Sequence, residues 1–160
     1  MGILEVRAYF RQNGIPEEIR EFPVSSATVE LAAQALGVEP KLIAKTLSFE
    51  TAQGGLLLLA AGDARVDNRK FRETFGFKAK MLSPEDALRL TGHAVGGVCP
   101  FALATALPVY LDVSLRRFET VYPAAGSPAS CVVVTPDRLR EITGAAWVDV
   151  CRLPQDAAES

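Results

Sequence analysis

The chain predicts an α+β domain built on one mixed, largely antiparallel sheet. Three observations carry this. Apolar residues make up 49% of its 160 residues, enough for a full core without disulfides or metal. Helix and strand signals interleave irregularly instead of repeating as strand–helix–strand units. Several strand pairs are separated only by short turn signals, as in hairpins. The length suits a single domain, read as residues 1–152 with a polar tail over 153–160.

Each element has a local cause. Ile3, Val6 and Phe10 fall on one face of a helix over 3–13, and Gly14 stops it. Residues 18–22 predict a short strand before Pro23. Ser26 or Thr28 caps a second helix that reaches Leu36 and closes at Gly37. Strands over 42–49 and 56–61 flank a Gln53-Gly54-Gly55 turn, and Gly62-Asp63 makes the next turn. Asp67 caps a basic helix ending near Gly76. Ser83-Pro84 starts a helix with proline at its first position, ending at Thr91-Gly92. Residues 109–113, 119–122 and 131–134 predict strands. Thr135-Pro136-Asp137 opens a last helix that Gly144 stops, and 147–150 predicts a final strand. Trp147 is most simply core.

Composition excludes several functions. A net charge of −2 argues against a protein that coats nucleic acid broadly. The charge is uneven, however. Residues 65–80 carry Arg65, Arg69, Lys70, Arg72, Lys78 and Lys80 against Asp67 and Glu73, a local +4. That patch is either a solvated helix face or a contact for a short stretch of phosphate backbone. Cys99, Cys131 and Cys151 are odd in number and lack C-x-x-C spacing, which argues against a disulfide framework and a zinc site. With His93 as the one histidine, neither a metal centre nor a cofactor is expected. The N-terminal residues lack a signal peptide's basic and apolar regions, and Val6 sits where myristoylation needs Ser or Thr. No apolar run approaches membrane-span length. The expectation is a cytoplasmic protein with neither membrane nor DNA as a partner.

Two segments carry chemistry. In the apolar strand around Lys45, side-chain alternation puts the lysine on the face of Ile43, Leu47 and Phe49. A cation aimed at an apolar face needs a partner or a task. The bland alternative is a lysine that snorkels to water. Some fifty residues on, Gly96-Gly97-Val98-Cys99-Pro100-Phe101 can bring bare backbone N–H groups to a ligand, or form a plain turn. Together they suggest a pocket for an anionic or ester-bearing substrate. Cys99, with His93 nearby in sequence, invites a nucleophile reading, but a free cysteine is commonly a small buried hydrophobe. Asp112 either contacts the loop or Lys45, or is a satisfied structural carboxylate.

Lys45-Thr46-Leu47, the loop 96–101 and the Thr91-Gly92 before it resemble the YbaK/ProX family of aminoacyl-tRNA deacylases. These are related to the editing domain of bacterial prolyl-tRNA synthetases. Residues 62–67, Leu111-Asp112-Val113, Thr120-Val121-Tyr122 and Ala124-Ala125-Gly126 extend the likeness across 3–150. The resemblance implies a compact, barrel-like mixed α+β fold. It implies hydrolysis of the ester that joins a wrong amino acid to the tRNA 3′ end, acting in trans. The family's strand lysine carries over to Lys45, and its G-x-x-x-P loop to Gly96 and Pro100. Lys45, Gly96 and Gly97 would then be catalytic. Val98, Cys99, Pro100, Phe101, Asp112 and His93 would hold the substrate, and Arg65, Arg69, Lys70 and Arg72 the tRNA. The implied partners are the acceptor end of a mischarged tRNA and, transiently, a synthetase. No protein general base is implied, because the terminal ribose hydroxyl can help activate water. Two residues depart from the family pattern: Cys99 replaces a small polar residue or proline, and Ala102 stands where glycine is common. The competing readings are a non-catalytic tRNA- or synthetase-binding module and a thiol-dependent hydrolase using Cys99.

Overall fold

The computed structural model describes residues 2–23 and 28–154. The candidate cap Ser26 and the tail beyond Pro154 lie outside the described residues.

The chain begins with α1 (Ile3–Gln12), which buries Val6 and Phe10. Next come β1 (Ile19–Glu21), α2 (Val29–Leu36), β2 (Ile43–Thr51), β3 (Gly54–Ala61) and β4 (Arg65–Val66). Helices α3 (Asn68–Phe75) and α4 (Pro84–Thr91) lead to β5 (Val109–Asp112) and a 3-10 turn (Val113–Arg117). Then follow β6 (Tyr122–Pro123), β7 (Ser130–Val132), α5 (Pro136–Thr143), β8 (Ala146–Val148) and β9 (Cys151–Arg152).

The helix boundaries follow local chemistry. Thr28, Asp67, Ser83 and Thr135 each accept a backbone N–H from the third residue onward, satisfying one orphan donor of a first turn. These helices end at Gly37, Gly76, Gly92 and Gly144, all in the left-handed conformation.

The main sheet is curled and mixed, in the order β6-β2-β3-β5-β8. Its long antiparallel join is the β2–β3 hairpin, paired from Thr51↔Gly54 to Ala44↔Ala61. Gly54 and Gly55 are therefore strand residues, and Ala52-Gln53 makes the turn. The other three joins are parallel, because helical crossovers return the chain in the same direction. Further antiparallel pairing lies in two short ladders, β1–β7 and β4–β9, and in isolated bridges. Strand β3 is covered on both faces, and Leu57 through Ala61 are fully buried, which explains its unbroken apolar run. The basic helix α3 is anchored by Phe71, whose ring packs 4.9 Å from Phe49.

Two strand expectations shift. Of 119–122, only Tyr122 enters the sheet, while Val121 bridges to Val134. Of the strand expected over 147–150, only 147–148 lie in a strand, β8, and β9 begins beyond it at Cys151. Between them the Val150 N–H turns to the Asp112 carboxylate instead of a ladder. Trp147 is only half-buried, with the Arg116 guanidinium 5.1 Å above its ring.

Candidate active site

Helix α2, strand β2, the start of α4 and the loop around Gly96 enclose a cavity of about 360 Å³. Its walls are mainly apolar, with Val29, Ile43, Leu82 and Val98 among them. Polar atoms enter from Lys45, Thr46, Ser48 and Ser130. The Thr46 hydroxyl is buried and has no hydrogen-bond partner among the described residues. Ser130 is tied down, accepting from the Ser127 hydroxyl at 2.8 Å and donating to the Ser127 carbonyl at 3.2 Å. No carboxylate or imidazole lies among the described lining residues.

Lys45 stands where this cavity meets a second, open cleft of about 690 Å³ lined by Glu30, Asp63, Ala64, Arg65 and Arg152. Its ammonium donates to the Ala64 carbonyl. Burial lowers its pKa below the ordinary lysine value; Cys151 and Asp63 oppose that, and Arg65 adds to it. Of the residues that alternation places on the Lys45 face, only Ile43 joins it in lining the cavity. Phe49 turns to Phe71, and Leu47 packs on the core. The alternate residues Ala44, Thr46 and Ser48 line the cavity together with Ile43 and Lys45.

The loop divides in the same way. Gly96 and Val98 line the cavity, and neither N–H has a partner among the described residues. Gly97 does not line it. Its N–H donates to Ala94 O at 2.9 Å. A Cβ there would lie 2.6 Å from Ser127 Cα, so this glycine is required by a close pass of two backbone segments. Positive φ belongs to Gly96, at 93°.

Beneath the loop, Cys99, Pro100, Phe101 and His93 are buried and do not line the cavity. Phe101 meets Phe10 edge-on at 5.2 Å. The His93 Nε2 lies 2.7 Å from the Phe101 carbonyl; that oxygen can only accept, so Nε2 carries the proton. Cys99 donates to the same carbonyl and sits 3.5 Å from His93 Nε2. Burial pushes the thiol up to about 12 and holds the imidazole pKa below 6.5. The pair is a packing unit that offers neither a thiolate nor an open path to one. Asp112 is likewise structural, its oxygens accepting N–H groups of Ser114 and Val150 at 2.9 Å each.

The basic residues part company too. Arg69 pairs with Glu73 at 3.1 Å on an open helix face. Lys70 bonds Asp149 at 3.2 Å and the Cys151 carbonyl at 3.1 Å, tying α3 to β9. Arg72 is exposed, and Arg65 lines the cleft. Thr46, Ser48, Ser130 and Arg152 were not singled out from sequence. The period-2 alternation of β2 carried the signal for Thr46 and Ser48.

This site has relatives. Residues 24–142 match the family model of the aminoacyl-tRNA editing domain. The uncharacterized protein YwhH of Bacillus subtilis is 52% identical over 155 residues, covering 95% of this chain and 98% of that protein. The proline–tRNA ligase of Exiguobacterium sibiricum is 26% identical over 135 residues, 83% of this chain but 24% of the ligase. A solved structure described as a candidate trans-editing enzyme for prolyl-tRNA synthetase superposes with a TM-score of 0.87 at 34% identity, covering 94% of this chain and 96% of that one. The hypothetical protein APE2540 gives 0.84 at 29% identity, covering 92% and 99%.

Proposed function

Because the chain belongs to the aminoacyl-tRNA editing domain family, we propose that it is a trans-acting deacylase, hydrolysing the ester between a wrong amino acid and the 3′ end of tRNA. One observation carries the reading: Lys45 lies between a small apolar cavity and an open basic cleft. The cavity suits an amino-acid side chain and the cleft suits the nucleotide that bears it. The ester then falls beside the ammonium.

The chemistry follows from what the walls offer. Water attacks the ester carbonyl, and negative charge develops on its oxygen. The Lys45 ammonium and the N–H groups of Gly96 and Val98 are the donors at hand to stabilise it. Among the described lining residues there is no imidazole or carboxylate to take the proton from water. The neighbouring ribose hydroxyl of the substrate fills that role. No metal or cofactor takes part in this scheme. Editing is useful because a pocket that rejects a missing methylene gains only ~1–3 kcal/mol. The partners are the acceptor end of a mischarged tRNA and, transiently, a synthetase.

The test is release of amino acid from a panel of mischarged tRNAs that includes alanyl- and cysteinyl-tRNA for proline. Turnover of at least one member above the spontaneous rate supports the reading. Tight binding with no turnover of any member would replace it with a binding module.

A further inference from the structure

Strands β4 and β9 place two arginines directly opposite each other, Arg65↔Arg152. Opposed residues of an antiparallel pair share a face with Cβ atoms about 5 Å apart, and like charges so placed destabilise the pair. Neither arginine makes an ion pair among the described residues. Both line the cleft that Lys45 also lines. Two acids share that lining, Glu30 and Asp63. Asp63 is paired with Arg117 through bonds of 2.6 and 3.2 Å, and with Glu30 it sets two acids against Lys45, Arg65 and Arg152. An excess of positive charge, held on two short strands against its own repulsion, is the arrangement an anion would relieve.

We infer that Arg65 and Arg152 form a phosphate-binding subsite, joined to the cavity by Lys45, that grips the phosphodiester of the terminal nucleotide. The inference rests on the deacylase reading for the identity of the nucleotide and extends it to a residue, Arg152, outside the basic helix. Planar guanidinium groups suit phosphate oxygens through paired N–H donors, which a lysine in their place would not reproduce. The cleft is of the size that encloses small ligands. The cavity and the cleft share Lys45 and Val29 in their walls, so one ligand can occupy both.

The experiment is binding of an uncharged RNA minihelix ending in CCA, followed by fluorescence anisotropy, with adenosine 5′-monophosphate and adenosine as competitors. The Arg152→Glu and Arg65→Glu variants should each weaken binding at least tenfold. Each should also flatten the log–log salt dependence by about one unit. Arg152→Glu should unfold at the same or a higher temperature than the parent, because a repulsive pair is gone; a purely structural arginine would lower it. The monophosphate should compete and adenosine should not. Unchanged affinity in folded Arg152→Glu, or equal competition by adenosine, would overturn the subsite. Hydrolysis plays no part in this measurement. An Arg152-dependent affinity without turnover would leave the subsite standing and remove the deacylase. Turnover with an Arg152-independent affinity would do the reverse.

Discussion

The Lys45 ammonium and the Ala64 carbonyl are joined by a hydrogen bond that holds the charge at the edge of the cavity instead of letting it swing to solvent. The bond matters because burial disfavours that charge and lowers the pKa of Lys45. The fold therefore keeps a cation where it gains little from it. Lys45→Ala should lower kcat/KM about a hundredfold, the ~3 kcal/mol scale of one lost electrostatic contact in a transition state. The melting temperature should stay level or rise. Wild-type turnover in Lys45→Ala would take Lys45 out of the mechanism.

Among the described residues, Ala102 is the non-glycine residue with positive φ, at 52°, just past the loop. An L side chain there costs roughly 1–2 kcal/mol of backbone strain. Glycine adopts that left-handed conformation without the steric cost. Ala102→Gly should relieve the strain, less what the unfolded chain gains in freedom, for a net stabilisation of up to about 1 kcal/mol. Chemical denaturation at constant m-value reads it directly.

His93 is the chain's one histidine, so it dominates proton linkage near neutrality. Its folded pKa lies below 6.5 because burial disfavours the imidazolium. Between the unfolded value and the lower folded one, the unfolded state binds more protons. Stability should therefore fall as pH drops through that window, by at most about 1.4 kcal/mol per pH unit. His93→Gln should flatten the dependence as the pH falls through and below 6.5. An equally steep decline in that variant would assign the effect to carboxylates.

The basic helix should respond residue by residue. Charge reversal at Arg69 and Arg72, both exposed, should raise the KM for tRNA with little change in kcat or melting temperature. Lys70→Glu should cost stability as well, because Lys70 bonds Asp149 and the Cys151 carbonyl. A melting temperature unchanged by Lys70→Glu would make that tie dispensable.

The parts of this molecule that were legible in sequence are those with local causes. Thr28, Asp67, Ser83 and Thr135 act on N–H groups three residues away, and each marks a helix start in the structure. Lys45 and Gly96 were legible as cavity residues through family resemblance. The rest depended on distant partners. Alternation gave the face of Lys45 correctly, but not which face the cavity would occupy, since α3 claims Phe49. Asp112 read as a candidate ligand because its partners, Ser114 and Val150, are backbone groups that no side-chain pattern reveals. Arg152 meets Arg65 only through a ladder between remote segments.

Gly97 is fixed by a close pass of two backbone segments and does not line the cavity. Its N–H is spent on Ala94, and a Cβ would press against the backbone of Gly126 and Ser127 at 2.6 to 2.8 Å. Neither neighbour is a side-chain end that can swing away, so the two segments must move apart. Gly97→Ala should therefore already lower stability by about 1–3 kcal/mol, the usual cost of overpacking. For a chain of this length that is roughly 3–10 °C in melting temperature. Gly97→Val should cost more. Turnover per folded molecule, measured well below the transition, should fall less than in Lys45→Ala. If Gly97 instead presented its N–H to the ester, Gly97→Ala would lose turnover at an unchanged melting temperature. That result would return Gly97 to the reacting groups and shift the oxyanion donors away from Gly96 and Val98.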